Sequence, residues 1–155
     1  MDTSTKEISF DSNNYCNFCN DFNINYSKYT NNSSDKLNQL LDKIKNNRTN
    51  SNYDCIIGIS GGVDSSWALI KAIEAGLKPL AIHLDNGWDS ELAQNNIANL
   101  VNGLKVDLYT KVIDWEEYKG LMKSFFAANV IDVELLYDNA MLALIFQQAK
   151  KNRLN

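Results

Sequence analysis

One short segment of this sequence combines small residues, hydroxyl groups and a carboxylate in an order suited to binding phosphate. Its seven residues are Ser60, Gly61, Gly62, Val63, Asp64, Ser65 and Ser66. The two glycines allow a sharp turn and a close backbone approach to a ligand, because they lack a Cβ atom. The hydroxyls can donate hydrogen bonds, and the free N–H groups of a helix that starts here attract an anion. Asp64 could hold Mg²⁺, which prefers oxygen ligands and commonly accompanies phosphates. We therefore predict a phosphate-binding loop, with Ser60 and Asp64 as its main chemical groups.

A strand and a helix flank this loop in the sequence. The run from Cys55 to Ile59 is apolar at every position, which predicts a strand covered on both faces in the middle of a parallel sheet. A helix is predicted from about Asp64 to Ala75, because Gly76 is of the type that commonly ends helices. Little of this helix is polar, so we expect it to be well buried through four side chains: Trp67, Leu69, Ile70 and Ile73.

Further elements continue the same alternation of strands and helices. A second strand is predicted at Leu80–Leu84, and a helix that starts at Asp89–Glu91 and ends at Gly103 follows it. A third strand is predicted at Val106–Ile113, and a final helix at Asp138 to about Arg153. Alternating strands and helices of this kind predict an α/β fold with a parallel sheet.

The third strand differs from the first in its pattern. Apolar residues such as Leu108 and Val112 alternate with polar ones, which indicates one solvated face at a sheet edge. Right-handed crossovers then give the strand order 3-2-1. We therefore predict part of a doubly wound parallel sheet, with later strands missing from the chain.

Polar and aromatic residues also follow the second strand. Because ligands bind outside the carboxyl ends of parallel strands, we expect Ser60 and Asp85 to emerge at one nucleotide site. Trp88 could stack on a flat ring such as adenine. His83 either faces this ligand or is a core histidine with its hydrogen bonds satisfied, and Asp89 is expected to cap the next helix.

Composition narrows the class of protein. The chain has 155 residues, enough for one domain with a hydrophobic core. Its net charge of −4 argues against nucleic acid as the main partner, because phosphate backbones select basic surfaces. No apolar stretch approaches the roughly 18 residues that a membrane helix needs. We therefore expect a cytoplasmic enzyme domain with no membrane insertion.

The first part of the chain differs in composition from the rest. Residues 1–52 are polar and rich in asparagine, with one helix predicted around Leu37–Ile44, whereas residues 53–155 form the α/β domain. Cys16 and Cys19 have the C-x-x-C spacing of half a zinc knuckle. Structural zinc sites use four ligands, so this pair supplies half of one. Cys55 is expected to be a small core residue.

The loop resembles the S-G-G-x-D-S signature of the N-type ATP pyrophosphatases, also called PP-loop enzymes. The Walker P-loop is a different motif, because its lysine has no counterpart after these glycines. The resemblance implies that ATP is split between its α and β phosphates, with Ser60–Ser66 around the phosphates and Mg²⁺ on Asp64. It also implies an adenylated substrate from which a nucleophile displaces AMP.

Three segments together resemble the N-acetyl sugar amidotransferases, a PP-loop family of surface-polysaccharide and nonulosonic-acid synthesis. They are Tyr53–Ser66, Ala81–Leu92 and Val112–Tyr118. The resemblance implies that the acetamido oxygen of an N-acetylated, nucleotide-linked sugar attacks the α phosphate of ATP. Ammonia from a separate glutaminase would then displace AMP and give an acetamidino sugar.

The chain departs from that family in three ways. Family members are longer, and a first C-x-x-C stands ahead of the segment that matches Met1, so we expect a piece truncated at both ends that lacks half of a zinc site and a fourth strand. Asn139 stands where the family carries a histidine. We therefore expect the chain alone to bind nucleotide weakly, to self-associate and to form no measurable acetamidino sugar.

Two alternative functions stay open. One is a different PP-loop enzyme that modifies tRNA, against which the acidic composition argues. The other is a catalytically inactive fragment that binds nucleotide.

Overall fold

The computed structural model describes residues 3–30, 33–47 and 52–154, and the chain divides into two compact units, Met1–Lys43 and Ile44–Asn155. The domain boundary predicted between residues 52 and 53 stays a prediction, because residues 48–51 beside it lie outside the described part. No helix in the described part is long and apolar enough to cross a membrane.

The first unit contains more helix than its polar sequence predicts. Its elements are α1 (Asn17–Asp21), a π-helical turn (Phe22–Tyr26), α2 (Ser27–Thr30) and the longer α3 (Ser33–Asn46), which continues past Lys43. The predicted helix around Leu37–Ile44 is confirmed as α3. Leu37 and Leu40 are more than half exposed, so this helix buries little of its apolar stripe.

The second unit is a three-stranded parallel sheet with helices on both faces. Its elements are β1 (Cys55–Gly58), α4 (Val63–Glu74), β2 (Pro79–Asp85), α5 (Glu91–Leu104), β3 (Leu108–Val112), α6 (Trp115–Ala127) and α7 (Leu135–Lys151). The strands lie in the order β1-β2-β3, with Ile57 opposite Ala81 and His83 opposite Thr110. The α/β class and the strand order expected from the sequence are confirmed.

Two hydrophobic clusters cover opposite faces of β2. Ala81 packs with Ile59, with Leu69 of α4 and with Ile97 of α5. On the other face lie alternate residues of the strand together with a residue of α7: Leu80, Ile82, Leu84 and Leu144. Burial of each large aliphatic side chain contributes about 1.5–3 kcal/mol, so β2 is the stable centre from which the loops project.

In the described sheet β1 is an edge strand, as the predicted order 3-2-1 without a fourth strand requires. There β1 pairs with β2 alone, and all four of its residues are half-buried. Its apolar composition has the predicted cause: α4 and α7 both contact the strand, with Ile57 in the cluster of Leu69 and Ile56 in the cluster of Leu144. Gly58 belongs to this packing: a Cβ built there would lie 3.4 Å from the Met141 methyl carbon.

Two burial predictions are wrong. Trp67 of α4 is 59% exposed, since this helix turns one side to the sheet and only Leu69 is fully buried. In β3, Leu108 and Val112 are exposed, whereas Tyr109 packs against the cluster around Leu144. Sequence alternation identified β3 as an edge strand correctly but assigned its buried face to the wrong residues.

Candidate functional site

The loop after β1 is held in a sharp turn against α5. Gly61 has φ 75°, a conformation that L side chains rarely adopt. A Cβ built on Gly61 would lie 2.4 Å from the carbonyl oxygen of Ala93, a distance that no real side chain tolerates. The Nδ2 of Asn96 donates a hydrogen bond to the Gly61 carbonyl oxygen at 3.0 Å. Glycine is therefore required at position 61, because the backbone of α5 at Ala93 leaves no room for a Cβ atom.

Hydroxyl groups stabilise the loop internally. Ser66 Oγ donates to the Gly62 carbonyl oxygen at 2.8 Å, and Ser65 Oγ donates to the same oxygen at 3.3 Å. The Oγ atoms of Ser60 and Ser65 are also 3.3 Å apart. These contacts bring Ser60, Ser65 and Ser66 together around Gly62.

The helix that follows has an open amino end. Helix α4 begins at Val63, and its N-cap Gly62 has no side chain to accept from the first-turn N–H groups. These groups and the positive end of the helix dipole are suited to an anion. Asp64 lies in this first turn and is exposed, so its carboxylate is accessible to a cation bound with that anion.

His83 lies beneath the loop and links two chain segments. Its Nδ1 is 3.1 Å from the carbonyl oxygen of Ile59, and its Nε2 is 3.0 Å from Oδ2 of Asp89. His83 is 6% exposed, so it is a buried histidine with both ring nitrogens in hydrogen bonds. The prediction that Asp89 caps α5 is wrong, because the Ser90 hydroxyl accepts from the Ala93 N–H at 3.1 Å.

The turn after β2 forms one wall of a shallow cleft. Asp85 Oδ1 accepts from the Gly87 N–H at 2.8 Å, and Asn86 Oδ1 accepts from the Trp88 N–H at 3.0 Å. These bonds fix the turn and leave Trp88 62% exposed. Its ring centroid is 6.4 Å from that of Trp115, which opens α6.

The cleft between the ends of β2 and β3 has a volume of about 320 Å³. It is lined by six residues: Asn86, Gly87, Trp88, Val112, Ile113 and Trp115. Exposed aromatic rings beside polar backbone turns are suited to a flat heterocycle. Trp115 was not singled out from the sequence, although an aromatic residue two positions past the carboxyl end of an expected strand was an available signal.

Two other reactive side chains in the second unit are poor candidates for catalysis. Burial raises the pKa of the Cys55 thiol to about 11, so the thiol is protonated at neutral pH. Burial, with a smaller effect of Asp89, raises the pKa of Tyr137 to about 12. The Tyr137 hydroxyl donates to the Leu84 carbonyl oxygen at 2.9 Å, which is a structural contact. Neither group offers a nucleophile.

The cysteine pair lies in the first unit. Cys16 Sγ is 3.2 Å from Cys19 Sγ and accepts from the Cys19 N–H at 3.3 Å. Hydrogen bonds from Cys19 lower the pKa of Cys16, and the same contact raises the pKa of Cys19. Within the described residues no three His, Cys, Asp or Glu side chains are grouped for a metal ion, so the two thiols have no further ligands there.

We expect this chain to hold zinc weakly. Two thiols are half of the four ligands that a closed structural site uses. Elemental analysis after exhaustive dialysis should find well below one zinc per chain, both in the chain and in a Cys19→Ser variant. Stoichiometric zinc that disappears in Cys19→Ser would contradict the prediction.

Most of the predicted site residues lie in one region of the second unit. Ser60–Ser66 follow β1, Asp85 is the last residue of the neighbouring β2, and Trp88 follows that strand at the same edge of the sheet. His83 is linked to the loop through Ile59. Asn139 is exposed on α7 and donates to the Leu135 carbonyl oxygen within its own helix. The sequence did not indicate the two α5 residues that contact Gly61, which are Ala93 and Asn96.

Comparisons with known proteins identify the fold. No family model matches the chain, and no curated protein matches it. Among solved structures, an NMN synthetase from Francisella tularensis is similar with a TM-score of 0.57 and 22% identity, over 79% of this chain and 50% of that one. A glutamine-dependent NAD+ synthetase from Acinetobacter baumannii in complex with ADP gives a TM-score of 0.51 and 19% identity, over 64% of this chain and 20% of that one.

A third similar structure is an NH3-dependent NAD synthetase from Campylobacter jejuni, with a TM-score of 0.50 and 17% identity, over 76% of this chain and 52% of that one. The chain thus spans at most about half the length of these proteins. At such identities the similarity establishes the fold alone. The fold is an open parallel α/β sheet like that of these NMN and NAD synthetases.

Proposed function

We propose that this chain supplies the ATP-binding part of a PP-loop amidotransferase that converts an N-acetyl sugar into an acetamidino sugar. The observation that carries the proposal is the loop at Ser60–Ser66, where the open amino end of α4 meets the turn at Gly61. The sugar as acceptor rests on the resemblance of Ala81–Leu92 and Val112–Tyr118 to the N-acetyl sugar amidotransferases.

The nucleotide would lie along the carboxyl edge of the sheet. Its phosphates would accept hydrogen bonds from the first-turn N–H groups of α4 and from the hydroxyls of Ser60 and Ser65. Its adenine would occupy the cleft beside Trp88 and Trp115. The similar NAD+ synthetase from Acinetobacter baumannii is in complex with ADP, which supports an adenine nucleotide at this edge.

A magnesium ion fits the donor set of the loop. Asp64 offers an exposed carboxylate in the first turn of α4, and Mg²⁺ is commonly held by one or two carboxylates together with phosphate oxygens. When bound, the ion would neutralise charge on the phosphates. The chain's own contribution is to orient the α phosphate with its backbone N–H groups and hydroxyls.

The acceptor and the nitrogen donor complete the reaction. The acetamido oxygen would attack the α phosphate, forming an oxygen–phosphorus bond as the bond to the β phosphate's bridging oxygen breaks and pyrophosphate leaves. Ammonia would add to the imidate carbon, and AMP would leave with its bridging oxygen. No protein nucleophile is needed, which agrees with the protonated Cys55 thiol and the fully bonded ring of His83.

A separate glutaminase would supply the ammonia. The proposal follows from the single histidine of the sequence, which is bonded to Ile59 and Asp89 and offers no cysteine–histidine pair in the second unit. Two of the similar structures are described as glutamine-dependent and NH3-dependent synthetases, which supports ammonia as the attacking species.

The test combines binding with product identity. Calorimetry on this chain should detect Mg-ATP binding. In the intact protein that carries the sequence, ³¹P NMR should show ATP cleaved to AMP and pyrophosphate only when a nucleotide-linked N-acetyl sugar and ammonium are both present. Cleavage to ADP and phosphate would contradict the proposal, and AMP formation that depends on tRNA would favour the tRNA-modifying alternative.

Removal of an aromatic ring from the cleft should weaken every adenine nucleotide alike. Base stacking on an aromatic side chain is worth about 1–3 kcal/mol. Trp88→Ala and Trp115→Ala should therefore each raise the Kd of AMP and of Mg-ATP about tenfold or more. Trp67→Ala is the matched control, because Trp67 is similarly exposed but lies on α4 beside Lys71. Unchanged AMP affinity in both cleft variants would place the adenine elsewhere.

A further inference from the structure

We infer that His83 and Asp89 form a buried charged pair that positions the phosphate loop. The relevance of this pair to ATP binding rests on the proposed function. The geometric basis of the pair is independent of any ligand, because it depends on two hydrogen bonds of one imidazole ring.

The partners of the ring determine its protonation. The carbonyl oxygen of Ile59 can only accept, so Nδ1 of His83 must carry a proton. A carboxylate at Asp89 also only accepts, so in the pair that we infer Nε2 carries a second proton. The inferred pair is therefore an imidazolium beside a carboxylate. Within the described residues His83 is the one basic side chain paired with Asp89.

Burial makes this pair more than a surface contact. The side chains of His83 and Asp89 are 7% and 17% exposed, so solvent screens their attraction poorly. Removal of one partner would leave the other charge buried without compensation, which is strongly unfavourable. The pair is therefore able to hold its two backbone attachments in one arrangement.

The pair connects the residue just before the loop with the residue just before α5. Ile59 directly precedes Ser60, and the β1–β2 register ends at Gly58 opposite Ile82, so the His83 side chain adds a link beyond the last paired residues. Asp89 directly precedes Ser90, the N-cap of α5.

Helix α5 then returns to the loop. Ala93 packs against Gly61, and Asn96 donates to the Gly61 carbonyl oxygen. The loop is therefore connected to His83 in two ways. Ile59, just before the loop, bonds to His83 directly, and Gly61 is connected to His83 through α5 and Asp89. His83 and Asp89 are thus positioning residues that act on the phosphates through the loop backbone.

The first measurement uses the ligand-free chain. The sequence contains one histidine, so ¹⁵N-histidine labelling gives a single pair of ring resonances. In the folded chain both nitrogens should appear protonated. In Asp89→Asn the amide can donate to an unprotonated Nε2, so the ring should become neutral and keep its Nδ1 proton. A neutral ring in the unsubstituted chain would overturn the charged pair.

The second measurement tests positioning without ATP. Asp89→Ala should increase the hydrogen-exchange rates of the Gly61 and Gly62 amides about tenfold while amides in the centre of β2 change much less. Asp89→Asn preserves a hydrogen bond and should restore most of the protection. Glu91→Gln is the control, because it removes an exposed negative charge two residues away. Equal acceleration across the sheet in Asp89→Ala would mean a general structural role and would overturn positioning.

Nucleotide titration then separates this inference from the proposed function. Asp89→Ala should raise the Kd of Mg-ATP about tenfold, and Glu91→Gln should leave it unchanged. If the unsubstituted chain binds no nucleotide, the proposed function fails, whereas the NMR and exchange results still decide whether the charged pair holds the loop.

Discussion

Gly61→Ala should abolish nucleotide binding and strongly destabilise the second unit. The left-handed backbone at φ 75° costs an alanine about 1–2 kcal/mol. The new Cβ would lie 2.4 Å from the Ala93 carbonyl oxygen and 2.8 Å from its Cα, and overpacking of this kind typically adds about 1–3 kcal/mol. Because both colliding atoms are backbone, no side-chain rotation relieves the contact. Either α5 or the loop must move.

Gly76→Ala separates the two causes. Gly76 has φ 76°, nearly the same as Gly61, but nothing lies within 4 Å of a Cβ built there. Gly76→Ala should therefore be destabilised only by its left-handed backbone, by about 1–2 kcal/mol, and should keep its affinity for Mg-ATP. Urea unfolding and calorimetry on both variants test the difference. Equal stability and equal ATP affinity in the two variants would contradict the claim that α5 supports the loop.

The sequence predicted the fold through features with local causes. Pro79–Asp85 is apolar along most of its length and is the central strand, and the glycines at 61 and 62 locate the turn that follows β1. The edge position of β1 followed from the predicted order 3-2-1 without a fourth strand, and the composition of β1 alone does not indicate it. Apolar residues on both faces report contact with helices α4 and α7, and they carry no information on whether a strand pairs on one side or two.

The sequence identified those site residues that are neighbours in the chain. Ser60–Ser66 could be identified as one motif, because the residues that meet are neighbours in the chain. The support from Ala93 and Asn96, and the link from His83 to Ile59, join residues that are far apart in sequence. Asp89 illustrates the difficulty, because a carboxylate just before a helix suggests a cap, yet Ser90 takes that role and leaves Asp89 for His83.

Asp64→Asn should weaken Mg-ATP selectively. The carboxylate lies in the first turn of α4, beside the N–H groups proposed to bind the phosphates. A metal held by Asp64 would neutralise charge on the part of ATP that AMP lacks, whereas the N–H groups would bind either ligand. Loss of one charged ligand should cost about 1.5–3 kcal/mol, which raises the Kd of Mg-ATP roughly tenfold to a hundredfold. The Kd of AMP should stay within about twofold, since less than about 0.5 kcal/mol is then at stake.

Calorimetry with Mg-ATP, with ATP in excess EDTA and with AMP separates these contributions. In EDTA the difference between Asp64→Asn and the unsubstituted chain should disappear or reverse, because a carboxylate near phosphate is repulsive without the metal. Glu74→Gln is the matched control: it removes the same charge from α4, roughly 15 Å further along the helix at 1.5 Å per residue. Equal weakening of AMP and Mg-ATP in Asp64→Asn would mean that Asp64 maintains the loop's structure, and the metal would then have to be held by other groups.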